Sequence, residues 1–292
     1  LGFEVRTAIY PWEMCVADVY FVWWWTHACF PITFAGLLGK PVIITGTFNE
    51  HVYDDRPWWQ KYLISYSLNR AHLNIAVSAM EYQKLRERFP QSNWMYSPHC
   101  IDSGILKPGE VERDNYICTV AQMVMGNAER KCIPEIIRAI PLIAQKFPGI
   151  RFVLAGELDP FYLRLAEETG AIQYSDFPGI VSAEEKIRLM QRCRIFLQPS
   201  RFEGFGLSIL EAMACGAPVV TSPVGAVPEV VGDCAQLVDG NSPEDIAKGV
   251  SRLLGDPKEC LKLSYAGRQR AVQLFDHRRR REDIEQSLKI AL

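Results

Sequence analysis

The chain has 292 residues, 48% hydrophobic and 23% charged, enough for one large or two ordinary domains around a sizeable core, and its composition excludes collagen, a disulfide-stapled mini-protein and a disordered tail. Its 32 basic and 34 acidic residues leave a net charge of −2, which argues against a nucleic-acid binder relying on a global positive field. Nine cysteines are odd in number, scattered and without a C-x-x-C pair, so free thiols in a reducing cytoplasm are expected rather than zinc or a redox dithiol.

The first third carries all seven tryptophans, at 12, 23, 24, 25, 58, 59 and 94. That shift in composition suggests two domains, with a boundary in the Pro/Gly-bearing stretch 98–115. The chain opens at Leu1 rather than Met and without a basic-then-apolar leader pattern, so an N-terminal truncation is expected. Between Asp18 and Lys40 lie 21 residues without a formal charge, long enough to span a bilayer. Thr26, His27, Pro31 and Gly36 interrupt them, and the stretch reads instead as a buried strand, a turn and a short helix. Strands are expected near 18–24, 41–45 and 74–78, and helices near 29–38, 57–70 and 79–88.

From residue 116 apolar runs alternate with amphipathic ones, as in βα units on a parallel sheet. Tyr116–Ala121 reads as a strand. Pro134 then sits in the first turn of a helix with Ile136, Ile137, Ile140 and Ile143 at helical spacing, and Pro141 should kink it. A strand over 150–155 ends at Gly156, and a helix over 160–169 is closed by Gly170. Ser182 and Glu185 form a capping box ahead of a helix to about Arg192. A strand over 194–198, a loop over 199–204, a helix over 206–215 stopped by Gly216, and a strand over 218–221 follow. Ser242-Pro243 starts a further helix, which Gly255 ends.

The segment from Pro199 to Val220 carries the chemistry. A buried strand delivers the chain to a small-residue loop that opens into a helix, whose first amides lack partners and face the mouth of the sheet: an anion site by geometry. Gly204 and Gly206 let a phosphate approach backbone amides without a Cβ in the way. Glu203 in the loop and Glu211 more than a turn down the helix can reach hydroxyls on either side of that phosphate, as a nucleotide sugar presents them. Either glutamate alone could be an ordinary surface residue, but Ala212, Met213 and Ala214 leave Glu211 little solvated face. Ile209 stands where the third glycine of a dinucleotide fingerprint belongs, and no G-x-x-x-x-G-K-[ST] occurs.

Glu203 to Glu211, within P-S-x-x-E-G-F-G-L-x-x-L-E-A-M-A-C-G-x-P-V-V, resembles the E-x7-E element of the retaining GT-B glycosyltransferases of family GT4 (glycosyl transferases group 1). The resemblance covers about residues 15–292 and is densest over 116–240. It implies an α/β GT-B fold, two doubly wound Rossmann-like domains facing a cleft, the N-terminal one incomplete. The expected parts are an acceptor-side domain over 1–110, a donor domain over 111–276, and a C-terminal helix over 277–292 returning towards the first.

By resemblance, Glu203 contacts donor-sugar hydroxyls, Glu211 the nucleotide ribose, and the amides around Phe205, Gly206 and Leu207 the sugar or diphosphate. The family's G-R and Lys on the diphosphate correspond to Ala121-Gln122 and Lys131, so the lysine is kept and the arginine is a neutral Gln122. Lys131 could otherwise be one solvated charge in the run 129–131. The segment 225–229 resembles a structural turn of the family, and Ile180 and Val181 its base-contacting backbone. Thr47 occupies the place of a donor-contacting histidine that neither His27 nor His51 matches. The family's linker appears as Pro98-His99-Cys100-Ile101-Asp102, and the first βα units with their glycine-rich loop are missing.

The implied activity is metal-independent transfer of a sugar from a nucleotide diphosphate donor to an acceptor hydroxyl with retention, without a cofactor. The leaving diphosphate, held by Lys131 and the Gly206 helix end, would assist acceptor deprotonation; no D-x-D metal signature occurs. The acceptor would be a glycan, a lipid-linked or a small molecule, and no nucleic acid is expected. The run Arg278 to Arg281 reads as a solvated helix face paired with Glu282, Asp283 and Glu285, or else as a peripheral contact with anionic lipid at the inner face of the membrane. The alternatives are a non-catalytic nucleotide-sugar-binding subunit, a sugar-nucleotide epimerase and a phosphorylase-like enzyme.

Overall fold

A computed structural model describes residues 4–10, 13–48, 53–110 and 112–291. The chain divides into two compact units, Leu1–Cys100 with His277–Leu292, and Ile101–Asp276.

In the first unit the chain-ordered elements are β1 (Tyr20–Trp23), α1 (Cys29–Leu37), β2 (Val42–Gly46), α2 (Trp58–Arg70), β3 (Leu73–Ala76), α3 (Ala79–Arg88) and β4 (Trp94–Tyr96). The four strands are parallel and lie in the order β1-β2-β3-β4. That order steps one way only, so the sheet amounts to one half of a doubly wound arrangement. β2 and β3 are wholly buried and, apart from Thr45 and Asn74, without polar side chains, as suits central parallel strands, whereas the edge strand β1 alternates buried and exposed residues. The uncharged stretch after Asp18 resolves into β1, a 3-10 turn over Trp25–His27 and the nine-residue α1. Among the described residues no helix is long and apolar enough to cross a membrane. Buried Trp25 donates Nε1–H to Asn74 Oδ1 (3.3 Å), and Asn74 Nδ2 donates to the Leu68 carbonyl (2.9 Å), so this polar pair in the core is satisfied. The sequence reading missed β4, whose three residues are too few to show a period.

The second unit continues with β5 (Tyr116–Val120), α4 (Asn127–Arg130), α5 (Ile133–Ala144), β6 (Arg151–Ala155), α6 (Pro160–Glu168), β7 (Ser175–Gly179), α7 (Ala183–Arg192), β8 (Ile195–Gln198), α8 (Leu207–Ala214), β9 (Val219–Thr221), α9 (Val227–Val231), β10 (Gln236–Leu237), α10 (Pro243–Gly255) and α11 (Pro257–Phe275). The sheet order is β10-β9-β8-β5-β6-β7, all parallel. Alternate strand residues enter opposite cores: Ile117, Ile195 and Leu197 pack with α5, α6 and α10, while Cys118 and Phe196 pack with α8, α9 and α11. Ser182 and Ser242 accept hydrogen bonds from the amides three residues on, capping α7 and α10. Pro141 stands inside α5, which runs on to Ala144 with Ile136, Ile137, Ile140 and Ile143 buried.

One boundary differs from the sequence expectation. Residues 101–110, assigned above to the first domain, pack in the second unit: Ile101 N–H donates to the Phe275 carbonyl (2.8 Å), Leu106 is buried in the core of that unit, and Gln191 Nε2 donates to the Lys107 carbonyl (2.8 Å). Proline and glycine mark where regular structure stops, but they do not say which core receives the few apolar residues between them.

The chain ends in α12 (His277–Ala291), part of the first unit. Ile284, Leu288 and Ala291 pack on Ile43, Leu73 and Ile75 of its sheet. Arg280 Nη1 donates to the carbonyls of Ser97 (2.9 Å) and Pro98, and Asp283 Oδ2 accepts from Ser97 Oγ (2.7 Å). Arg281 pairs with Glu285 at 3.2 Å. Arg280, in the arginine run read as a solvated face or lipid contact, is therefore committed to backbone carbonyls.

Candidate functional site

The second sheet reverses its strand order between β5 and β8. In an open parallel sheet the crevice beyond the carboxyl ends of such strands is where a ligand is met. The chain leaves β5 through Ala121 and Gln122, and leaves β8 through the loop 199–206. Gly156 passes so close that a Cβ there would stand 1.8 Å from the Ala121 carbonyl oxygen. Gln122 is exposed, and its carbonyl accepts from Asn127 Nδ2.

Glu203 is buried, 5% exposed. Its Oε1 accepts from Ser200 Oγ (2.7 Å) and from Lys131 Nζ, and its Oε2 lies 3.5 Å from Arg130 Nη1. The backbone is fixed from below. Gly225, at φ +54, comes so close that a Cβ would lie 2.0 Å from the Glu203 carbonyl oxygen, and Ala226 N–H donates to that same oxygen (3.1 Å). The segment read from sequence as a structural turn thus seats Glu203.

Lys131 has an 11% exposed side chain. Burial draws its ammonium below the usual lysine value, Glu203 opposing that shift. The next residue, Cys132, holds φ +53, a left-handed conformation unusual outside glycine, where the chain turns from α4 into α5. Arg130 donates through Nη1 to the Phe202 carbonyl (2.8 Å) and through Nη2 to Asn127 Oδ1 (2.6 Å).

Gly206 takes φ +95 as the N-cap of α8, and no side chain caps that helix. The Phe205 ring is 3% exposed and packs edge-on to Phe275 (5.7 Å, 81°), so this residue offers a ligand its backbone and not its ring. Gly204 is half-buried, and the Leu207 side chain is exposed. Glu211 pairs with Lys186 of α7 at 2.7 Å. Ile180, 79% exposed, follows β7.

Gln122, Lys131, Glu203, Gly204, Phe205, Gly206, Leu207 and Glu211 therefore occupy one unit, on the segments that follow β5 and β8. Thr47 follows β2 in the other unit, where His27 lies in the 3-10 turn after β1; His51 lies outside the described residues. Sequence reasoning missed Arg130 and Lys186 as partners of the two glutamates. Arg130 was visible as the neighbour of Lys131, but Lys186 stands 25 residues before Glu211, a separation with no linear signature. Among the described residues no group of three or more His, Cys, Asp or Glu could hold a metal ion. The nine cysteines form no disulfide with one another, and burial pushes the Cys193 thiol up to about 12.

The family model for glycosyl transferases group 1 matches residues 106–270. The MMP alpha-(1->4)-mannosyltransferase of Mycolicibacterium hassiacum is 31% identical over 183 residues, 61% of this chain and 44% of that protein, so the chain spans less than half the length of this relative. Sucrose-phosphate synthase from Thermosynechococcus elongatus superposes with a TM-score of 0.80 at 21% identity, over 93% of this chain and 73% of that one. Anabaena HepE, solved with UDP and glucose, gives 0.80 at 18% identity, over 93% and 78%. The two parallel sheets have the GT-B fold of these proteins. With more than half of its length matched by the family model, the chain belongs to the glycosyl transferases group 1 family.

Proposed function

We propose that this protein transfers a sugar from a nucleotide diphosphate sugar to an acceptor hydroxyl, with retention of configuration and without a metal or cofactor. The observation that carries this reading is the buried Lys131–Glu203 pair beyond the β5/β8 reversal, followed by the uncapped N-terminus of α8 and, eight residues after Glu203, by Glu211. A diphosphate in that crevice meets the amides of α8 and the Lys131 ammonium, which neutralise the charge that develops on the leaving oxygen. Glu203, acceptor-only when ionised, receives sugar hydroxyls; Glu211, braced by Lys186 on one oxygen, keeps a second oxygen for the ribose. Exposed Ile180 and the adjoining Val181 offer backbone groups to the base.

In the transfer the bond from the anomeric carbon to the diphosphate oxygen breaks, and the acceptor oxygen bonds to that carbon on the same face. The acceptor proton passes to the departing diphosphate, so no side-chain nucleophile is needed. The name of the mannosyltransferase relative and the UDP and glucose bound to HepE fit a donor of this class. The acceptor is a glycan, a lipid-linked or a small molecule, and cysteines outside disulfides suit a reducing cytoplasm.

The test is thermal stabilisation by UDP, GDP and ADP, with and without magnesium, on the wild type and on Glu211→Ala. A ligand at 100 times its dissociation constant adds about 2.7 kcal/mol. One diphosphate should stabilise the wild type irrespective of magnesium and lose much of that effect in the variant. No shift with any of the three in a cooperatively melting protein refutes a donor site.

A further inference from the structure

Resting on the donor reading above, a charge count at the site singles out Arg130. Glu203 carries one negative charge, and Lys131 and Arg130 carry two positive ones around it. Lys131 is nearly buried and engages Glu203 directly, so an incoming diphosphate gains its ammonium only in competition with a carboxylate already in place. Gln122, at the end of β5, brings no charge. Arg130 is the cation left over: its guanidinium stands at 3.5 Å from Glu203 Oε2, and its side chain is 36% exposed.

The same guanidinium is already held in place. Nη1 is anchored on the Phe202 carbonyl in the loop after β8, and Nη2 on Asn127, whose own amide donates to the Gln122 carbonyl after β5. Arg130 therefore spans the two chain segments that flank the strand reversal. A guanidinium has five N–H donors, and with Nη1 on the Phe202 carbonyl and Glu203 and one Nη2 hydrogen on Asn127, the Nε–H and the second Nη2–H remain in hand. Its planar fork fits two phosphate oxygens at once, which a lysine cannot do.

We propose that Arg130 supplies the second positive charge on the donor's diphosphate and makes the site discriminate nucleoside diphosphates from monophosphates. It takes over a charge that neutral Gln122 cannot provide. Lys131 then serves the phosphate next to the breaking bond while Arg130 and the α8 amides divide the remaining oxygens.

The test is calorimetric titration of the full chain with UDP, GDP, UMP, GMP and inorganic pyrophosphate, on the wild type, Arg130→Gln, Arg130→Lys and Asn127→Ala. The wild type should bind one diphosphate more tightly than its monophosphate. Arg130→Gln should lose about tenfold for the diphosphate and for pyrophosphate, with the monophosphate unchanged. Arg130→Lys should recover part of that loss, and Asn127→Ala should lower the diphosphate-to-monophosphate ratio without abolishing it. If Arg130 only braces the loop, Arg130→Gln and Arg130→Lys will weaken diphosphate and monophosphate by the same factor and lower the melting temperature together, which overturns the proposal. Unchanged diphosphate affinity in Arg130→Gln also overturns it while leaving the donor reading intact. A wild type that binds none of the nucleotides refutes the donor reading and this assignment with it.

Discussion

Replacing Glu203 by glutamine tests whether the Lys131–Glu203 pair organises the site. The substitution keeps the shape and leaves Lys131, 11% exposed, without its countercharge. Removing one partner of a buried pair costs about 3–5 kcal/mol in other proteins. Lys131 can relieve that cost by shedding its proton, which at pH 7 needs about 3.4 pKa units from the unfolded value near 10.4, or about 4.6 kcal/mol, and this sets a ceiling. The glutamine oxygen still accepts from Ser200 Oγ, so about 3 kcal/mol is expected.

The pH dependence has a definite sign. A lysine whose folded pKa lies below its unfolded value binds fewer protons in the native state between those two values, so stability rises with pH across that window. The deficit of Glu203→Gln should therefore shrink as the pH is raised from 7 towards 10. All seven tryptophans lie at residues 12–94, in the first unit. Urea unfolding followed by circular dichroism should shift while tryptophan emission, the internal reference, stays; should the two probes coincide, the shift is read on the joint transition. A loss under about 1 kcal/mol that does not change with pH, with Lys131→Met additive to Glu203→Gln, would refute the reasoning.

Other consequences are as specific. His99 stacks on Trp23 (5.9 Å between ring centres), and burial, reinforced by Arg280, lowers its pKa to about 4. The unfolded chain takes up this proton near pH 6.5 and the folded chain only near 4, so stability falls as the pH drops through that range, by about 3 kcal/mol. His99→Gln should flatten that slope in tryptophan-monitored unfolding, and an unaltered slope would exclude His99 as its source. Gly225→Ala places a Cβ 2.0 Å from the Glu203 carbonyl oxygen at φ +54, and should cost about 2 kcal/mol or more and weaken diphosphate binding; wild-type behaviour in both assays would show that Glu203 is seated by something else. Lys186→Met should weaken nucleoside diphosphates by several-fold by releasing Glu211, with inorganic pyrophosphate unaffected, and an equal loss for both would place Lys186 on the phosphates instead.

Much of the second unit was legible in the sequence, because local signals there agree with one another. Ser182 and Ser242 cap the helices they were read to open, Gly170 and Gly216 end helices at positive φ, and buried apolar runs become central strands. The glutamates and glycines of the loop after β8 were visible for the same reason, since a strand, a tight loop and a helix N-terminus lie within about twenty consecutive residues. Residues distant in sequence were decided only by tertiary structure. The sheet order that brings the end of β5 beside that of β8 puts Lys131 on Glu203, 72 residues away, and Lys186 on Glu211, 25 residues away. The side of the boundary taken by residues 101–110, and the commitment of Arg280 to the Ser97 carbonyl, likewise depended on which core lay within reach. Hydrophobic period and capping act over one or two turns, so sequence alone specified the elements and the chemistry of each loop. The partner of each charge is set by packing across the sheet, where no linear spacing records it.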